Sequence, residues 1–166
     1  MSKLLILGAG GHGKVVADAA KSMAAWNEIA FLDDEFGNLN KCLDYPVVAK
    51  LDDFNDFISD YDDFIVAIGN NQRRIHYLER LLSSKFNVPV VIHPSSIVSS
   101  SSRIQPGTVV VAGSIINPDV DIGYGCIINT GTTIDHDCVI DNGVHLSPGV
   151  NLGGNVKVGK NTWIGI

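Results

Sequence analysis

The sequence predicts two units of different architecture, an α/β unit over residues 1–92 and a repetitive all-β unit over residues 93–166. Three observations predict it. In the first half, short apolar segments that end in glycine alternate with amphipathic segments. In the second half, every sixth residue is aliphatic. Glycine is abundant, with 17 among 166 residues, whereas aromatic residues make up only 7%. A chain of this length suggests one domain and allows two small ones.

Charge and composition exclude several classes of protein. The chain carries 12 Lys and Arg against 18 Asp and Glu, a formal charge of −6. Nucleic acids and anionic membranes require clustered positive charge, so neither is an expected partner. No apolar run approaches the roughly 20 residues of a membrane span, and the apolar run near the N-terminus is too short for a signal peptide. The three cysteines form no CxxC pair, which predicts no disulfide framework, no metal site and a reducing cytoplasm.

The first half alternates predicted strands and helices. Lys3–Leu7 is a short apolar run closed by glycine, as expected of a buried strand. Alternation of this kind implies a parallel sheet with right-handed crossovers. The further strands are predicted at 28–32, 47–48, 64–68 and 88–92, and the helices at 14–20, 51–59 and 72–84, the last with Ile75, Leu78, Leu81 and Leu82 on one face.

A glycine-rich segment joins the first strand to the first helix. Gly8-x-Gly10-x-x-Gly13 matches the dinucleotide-binding motif, and Asp33 follows Gly13 by the 20 residues which that motif expects. Glycines let the backbone approach a pyrophosphate, and a helix N-terminus attracts it. The α/β unit has the size of one mononucleotide-binding half, which suits a nucleotide sugar better than NAD. NAD binding, and a tight turn without any ligand, are the alternatives.

The second half predicts a β-solenoid. Thirteen aliphatic residues recur at a period of six from Ile92 to Ile164, a period that fits neither a helix nor a simple strand but fits three hexapeptides per coil. We expect the aliphatic residue and the small or β-branched residue four positions later, Cys126 and Cys138 included, to fill the interior. A Gly or Asn directly after the aliphatic residue is expected to form the corner.

The repeat resembles that of the hexapeptide-repeat acyltransferases, whose fold is a left-handed parallel β-helix. The whole chain resembles the bacterial sugar acyltransferase family of UDP-N-acetylbacillosamine N-acetyltransferases and sialic acid O-acetyltransferases. The segments that carry the resemblance are residues 8–13 (GAGGHG), 31–34 (FLDD), 67–71 (AIGNN) and the solenoid, in that order. Members of that family usually continue for several more coils, so we expect the solenoid to be truncated at its C-terminal end, within a coil at Ile166.

The resemblance implies a function. It is transfer of acetyl from acetyl-CoA to the C4 amine of a UDP-4-amino-4,6-dideoxy-N-acetylhexosamine, by a cytoplasmic homotrimer with active sites between subunits. The alternatives are O-acetylation of sialic acid or another sugar, and a nucleotide-sugar-binding protein that truncation has made inactive. By the same resemblance the sugar nucleotide would contact Gly10, Gly11, His12, Asp33, Asp34 and Gly69, and acetyl-CoA would contact His145 and Ile166.

His136 is the candidate general base. It stands two residues after the inward Ile134, so its side chain should leave the core. A neutral imidazole suits the removal of a proton from an amine near pH 7, although spacing alone equally allows a surface histidine among aspartates. Asp137 matches the acidic residue that follows the catalytic histidine of the family, and it can fix the imidazole tautomer. The N–H of Gly154 is a candidate oxyanion donor.

Overall fold

The structure is a computed structural model that describes residues 2–166. Its N-terminal half is built on a five-stranded sheet. Strand β1 is central and pairs in parallel with β2 and β5, while β4 continues the parallel order beyond β2 and the short β3 adds an antiparallel edge. The elements are β1 (Lys3–Leu7), α1 (Gly11–Met23), β2 (Glu28–Leu32), β3 (Lys41–Cys42), β4 (Tyr45–Ala49), a 3₁₀ helix (Leu51–Phe57), β5 (Asp63–Val66) and α2 (Asn71–Ser83).

The predicted alternation is confirmed, with three local corrections. The segment 51–59, predicted as an amphipathic helix, is the 3₁₀ helix Leu51–Phe57, where the Asp53 carboxylate accepts the Lys50 N–H. This bond is part of a capping box, which satisfies a free N–H at the start of the helix. Helix α2 begins at Asn71, because the Asn70 side chain caps it by accepting the Arg73 N–H. Leu82, predicted on the buried face, is 39% exposed.

The second half is a parallel β-helix of thirteen two-residue strands. Each strand pairs with the strand 18 residues away, which confirms three hexapeptides per coil, and the second residue of each strand is the predicted aliphatic one. We call its three sides side 1, side 2 and side 3. Side 1 holds β6 (Val91–Ile92), β9 (Val109–Val110), β12 (Ile127–Ile128), β15 (His145–Leu146) and β18 (Trp163–Ile164); side 2 holds β7 (Ile97–Val98), β10 (Ile115–Ile116), β13 (Thr133–Ile134) and β16 (Asn151–Leu152); side 3 holds β8 (Arg103–Ile104), β11 (Asp121–Ile122), β14 (Val139–Ile140) and β17 (Lys157–Val158).

Two predictions about the solenoid are wrong. Only Val91–Ile92 of the predicted strand 88–92 is a strand, and it pairs with β9 of side 1 rather than with the α/β sheet. The left-handed backbone position of each corner lies three residues after the inward aliphatic, not directly after it. There φ is positive at residues that best tolerate it. These residues are Gly107, Gly113, Asp119, Gly125, Gly131, Asp137, Gly143, Gly149, Asn155 and Asn161.

The α/β unit packs on side 1 and on the adjoining corner between sides 3 and 1. Val91 and Val109 point outward from side 1 into the α/β core. At the corner, a Cβ on Gly125 would lie 2.7 Å from Leu78 of α2, so the absence of a side chain allows the close approach. We call the stack Gly107, Gly125 and Gly143 the docking corner. No helix in residues 2–166 is long and apolar enough to cross a membrane.

Candidate active site

A cavity of about 470 Å³ lies beyond the carboxyl ends of β1 and β5. The strand order reverses between these two strands, which is where ligands bind in open α/β sheets. The structure therefore brings together all six residues that the sequence predicted to contact the sugar nucleotide: Gly10, Gly11, His12, Asp33, Asp34 and Gly69. We call it the nucleotide cavity.

The glycines of the loop have two different roles. Gly8 has a φ of +113° and a Cβ there would lie 2.7 Å from the Ala67 carbonyl oxygen, so Gly8 fixes the path of the loop. Gly13 permits the close packing of α1 on Gly8. By contrast, no atom lies within 4 Å of a Cβ placed on Gly10 or Gly11. These two leave the start of α1 open toward the cavity, and its free N–H groups favour an anion such as a diphosphate.

The two aspartates after β2 are held differently. The Asp33 carboxylate accepts the N–H of Ala9 at 2.7 Å and the N–H of Glu35 at 3.0 Å, so both of its oxygens hold backbone. Asp34 instead forms an ion pair with Arg73 at the start of α2. Asp33 therefore organises the glycine loop, and Asp34 with Arg73 forms a charged rim of the cavity.

A second cavity, of about 610 Å³, lies between the start of α2 and the solenoid. We call it the cleft. Gly69 lines both the cleft and the nucleotide cavity, so the two adjoin. In the cleft, the His145 ring stacks on Trp163 with centroids 5.9 Å apart, and its Nε2 lies 3.2 Å from Nδ2 of Asn129. The Trp163 indole donates to Ser147 Oγ at 2.8 Å, which holds the stacked pair in place.

Two histidines near these cavities are held neutral. Burial, followed by the positive charge of Arg74, lowers the pKa of His12 to about 3 and that of His145 to about 4. The Nε2 atom of His12 is buried and has no hydrogen-bond partner in the described chain. At neutral pH both rings are therefore uncharged hydrogen-bonding groups rather than cations for a phosphate.

His136 lies at the corner between sides 2 and 3 and is largely exposed. Its Nδ1 lies 2.7 Å from Oδ2 of Asp137. The hydrogen bond to Asp137, with the negative charge of Asp135, raises the pKa of His136 above its ordinary value. Asp137 has a φ of 59°, in the left-handed region that aspartate tolerates. The predicted histidine–aspartate pair is thus present, with Nδ1 bonded to the carboxylate.

Gly154 lies one coil beyond His136 at the same corner. A Cβ on Gly154 would lie 2.7 Å from Cε1 and Nε2 of His136, so the imidazole rests on the glycine backbone. The Asn155 N–H donates to the His136 carbonyl at 2.8 Å. No acceptor within residues 2–166 takes the Gly154 N–H. An imidazole beside an available N–H is the arrangement that a base and an oxyanion donor require.

The structure does not bring His136 to the nucleotide cavity of its own chain. The solenoid is three-sided, the α/β unit covers side 1, and His136 lies at the corner between the other two sides. That corner is opposite side 1, where His145 lies. Ile166 is fully exposed and lines neither cavity. In residues 2–166, no group of three or more His, Cys, Asp or Glu side chains is placed to hold a metal ion.

Sequence reasoning missed several residues of the cleft and its walls. Arg73 and Trp163 carried no pattern that separates them from surface residues. Asn71 lies in the segment 67–71 (AIGNN) that carries the family resemblance, but no pattern gave it a role in the cleft. Arg74 did carry a signal, because it falls four residues before Leu78 on the apolar face of α2, and it is only 1% exposed. A basic residue in an apolar register indicates a buried cation with a specific set of partners.

Comparisons with known proteins bear on the family and the fold. Residues 3–81 match the PglD N-terminal domain family. The UDP-N-acetylbacillosamine N-acetyltransferase of Bacillus subtilis (strain 168) is 39% identical over 107 residues, which are 63% of this chain and 49% of that protein. The match thus spans about half the length of this curated relative.

Two solved structures are similar over nearly the whole chain. The acetyltransferase domain of PglB from Neisseria gonorrhoeae FA1090, in complex with acetyl coenzyme A, is 40% identical with a TM-score of 0.93, and the match covers 98% of this chain and 78% of that one. A histidine-to-asparagine mutant of perosamine N-acetyltransferase from Caulobacter crescentus, in complex with CoA and GDP-perosamine, is 33% identical with a TM-score of 0.91. That match covers 98% of this chain and 77% of the other.

The nucleotide cavity, the histidine–aspartate pair and the parallel β-helix together define a class, the bacterial hexapeptide-repeat sugar acyltransferases. The chain belongs to this family. Within it, the matched relatives that are named by a reaction are N-acetyltransferases of sugars.

Proposed function

We propose that the protein transfers an acetyl group from acetyl-CoA to an amino sugar linked to a nucleotide, namely the C4 amine of a UDP-4-amino-4,6-dideoxy-N-acetylhexosamine. The observation that carries the proposal is the arrangement of His136 between the Asp137 carboxylate and the Gly154 backbone, in a chain that also holds a nucleotide cavity. The Bacillus subtilis relative supports a UDP sugar, and the Caulobacter crescentus complex supports an amino-sugar acceptor.

The reaction is a direct transfer. The Nε2 atom of His136 takes a proton as the amine nitrogen attacks the thioester carbonyl, and Asp137 keeps the imidazole oriented through Nδ1. The Gly154 N–H donates to the developing oxyanion. The tetrahedral intermediate then expels the CoA thiolate, which takes up the proton from the imidazolium. No acyl-cysteine forms, because Cys126 and Cys138 are buried in the solenoid and burial raises the pKa of Cys126 to about 11.

The nucleotide diphosphate lies at the start of α1, beside Gly10 and Gly11, with His12 as a neutral hydrogen-bonding neighbour. Asp34 faces the uridine end, and Gly69 forms the wall past which the sugar enters the cleft. His145 contacts acetyl-CoA as a neutral group. We place the protein in the cytoplasm, because its three cysteines are free thiols, which suits a reducing compartment.

The active site is shared between chains of a homotrimer. His136 and the nucleotide cavity of one chain face opposite directions, so a base from one subunit must meet the sugar held by another. This predicts complementation. A trimer mixed from His136→Ala subunits and subunits whose nucleotide cavity is filled by Gly11→Trp should turn over, whereas neither variant alone should. Inactive mixed trimers, or a monomer in sedimentation analysis, would contradict the shared site.

Ligand-induced stabilisation tests the substrate class. UDP-sugar and acetyl-CoA should each raise the unfolding temperature, since a ligand at about 100 times its Kd contributes about 2.7 kcal/mol. Stabilisation by NAD alone would favour a dinucleotide enzyme. Assay against a panel of nucleotide 4-amino sugars, with a sialic acid as the hydroxyl acceptor, then separates N-acetylation from O-acetylation. Binding of the nucleotide sugar without any transfer would identify a binding protein.

A further inference from the structure

Arg74 of α2 is a buried cation that joins the two units of the molecule. Its Nε donates to the Gly125 carbonyl at 2.7 Å, and one of its terminal nitrogens donates to the Gly143 carbonyl at 2.9 Å. These acceptors are two successive glycines of the docking corner. The guanidinium therefore spans two coils of the solenoid from the first turn of α2.

The remaining donors of Arg74 hold the wall between the two cavities. The terminal nitrogen that contacts Gly143 also donates to Oδ1 of Asn71 at 2.8 Å. The other terminal nitrogen donates to the Ile68 carbonyl at 2.9 Å and to the Gly69 carbonyl at 3.2 Å. All five N–H groups of the guanidinium are thus used. The Asn71 amide in turn donates to the Asn161 carbonyl at 3.0 Å. The segment 68–71 is held to the solenoid through these two side chains.

The five acceptors of Arg74 are neutral, so its charge is compensated by carbonyl and amide dipoles and not by a carboxylate. Burying a guanidinium without a counter-ion is costly, and an exposed contact would join the units at lower cost. Such a contact exists, since Tyr124 of the solenoid donates to Glu79 of α2 at 3.3 Å on the exposed side of the helix. The buried cation must therefore contribute something beyond attachment.

We propose that Arg74 is a positioning residue of the acetyl transfer, which fixes the wall at Gly69 and Asn71 so that the nucleotide cavity and the cleft open into each other in one geometry. This inference rests on the proposed function for its kinetic part. The positive charge of Arg74 also lowers the pKa of His12, which lines the nucleotide cavity, and that of His145, which lines the cleft.

Three variants test the proposal, and two others serve as controls. Arg74→Lys keeps the charge and loses most of the hydrogen bonds, whereas Arg74→Met loses both. Asn71→Ala removes the second tie to the solenoid and keeps Arg74, which loses one of its five acceptors. The matched controls are Arg80→Met, which removes a half-buried cation of the same helix that pairs with Asp52, and Glu79→Ala, which removes the exposed contact between the units. Thermal unfolding identifies the variants that are folded.

Kinetics and histidine titration are the two readouts. Misplacement of a wall by about 1 Å can cost about 100-fold in rate, so we expect kcat/KM for the nucleotide sugar to fall by about 10- to 100-fold in Arg74→Lys and less in Asn71→Ala. The controls should stay near the wild-type value. By NMR, the pKa of His145 should rise in Arg74→Met and stay low in Arg74→Lys, because only the former loses the cation.

The outcomes separate the two proposals. Normal nucleotide-sugar kinetics in folded Arg74→Lys and Asn71→Ala would overturn the positioning role, as would equal losses in the Glu79→Ala control. If the wild-type protein transfers no acetyl group, the proposed function fails. Two measurements then still test the positioning role of Arg74, namely the Kd for the nucleotide sugar in Asn71→Ala and the pKa of His145 in Arg74→Met. If both values equal those of the wild type, the positioning role is overturned.

Discussion

His136 at its corner and His145 in the cleft are only nine residues apart in the solenoid, yet their surroundings shift the pKa of the imidazole in opposite directions. At the corner, an exposed imidazole bonds to Asp137 and its pKa is raised. In the cleft, burial against α2 and the charge of Arg74 lower the pKa of His145 to about 4. The repeat determines the position of each histidine along the solenoid. The groups packed against that histidine determine its pKa.

This comparison assigns the two rings different roles. A base must exchange a proton during each turnover, which requires a pKa near the working pH and a path to solvent. His136 is exposed to solvent, and the hydrogen bond to Asp137 raises its pKa from the ordinary value of 6.5, so burial does not hold it neutral at all working pH values. A ring that stays neutral at every pH above about 4 serves as a hydrogen-bonding contact that does not change with pH.

Removal of the base should have the largest effect. His136→Ala should lower kcat by about 10²- to 10⁴-fold, the usual scale for a lost general base, with little change in the binding of the nucleotide sugar. Steady-state kinetics and calorimetry measure the two quantities, and His93→Ala is the control for a solenoid histidine outside the site. Near-normal turnover of the His136→Ala trimer would remove this residue from the mechanism.

Gly154→Ala should come next. Its Cβ would lie 2.7 Å from the imidazole, whereas no atom lies within 4 Å of a Cβ on the neighbouring Gly153. We expect Gly154→Ala to displace the ring from the oxyanion donor and to reduce kcat by about 10²-fold. Gly153→Ala should leave kcat within about twofold of the wild type. Equal rates for the two variants would show that the contact between ring and backbone has no catalytic consequence.

Asp137→Asn should shift the pH profile. The bond to Asp137 raises the pKa of His136 above 6.5, and only the neutral imidazole acts as a base, so wild-type activity falls as pH decreases through that raised value. Without the carboxylate the acidic limb should move to lower pH, and kcat should fall by about 10-fold, less than for a buried triad aspartate. Asp119→Asn, one coil earlier at the same corner, should leave the profile unchanged.

His145→Ala should have the smallest effect. We expect KM for acetyl-CoA to rise by several-fold, on the order of one lost neutral hydrogen bond, with kcat little changed. Because His145 stays neutral above about pH 4, KM for acetyl-CoA in the wild type should be constant from pH 5.5 to 8. A pH-dependent KM that disappears in His145→Ala would contradict a neutral role, and His76→Ala on the exposed face of α2 is the control.

The sequence predicted those parts of the molecule that a periodic pattern encodes. The thirteen inward aliphatic residues, the six residues of the nucleotide cavity and the pair His136–Asp137 all lie in motifs or in a repeat. The apolar register of Arg74 indicates its burial, but the solenoid partners of Arg74 and Asn71 could not be predicted, because they are backbone carbonyls 51 to 90 positions away. The corner glycines were misplaced within the hexapeptide, since composition alone does not show which position has a positive φ.

The docking corner has one further consequence. A β-helix is nearly unchanged when it is moved along its axis by one coil, so in principle a helix could pack against it at several equivalent positions. Here α2 packs against Gly107, Gly125 and Gly143. The next corner position is Asn161, whose side chain fills the space against Gly143. Because Asn161 replaces the glycine at this position, the coils are no longer equivalent, and α2 can pack at only one position along the solenoid axis. An extra 18-residue coil between Gly125 and Gly143 would preserve every local rule of the repeat. It would nevertheless carry His145 away from His12 by one strand spacing, about 4.8 Å.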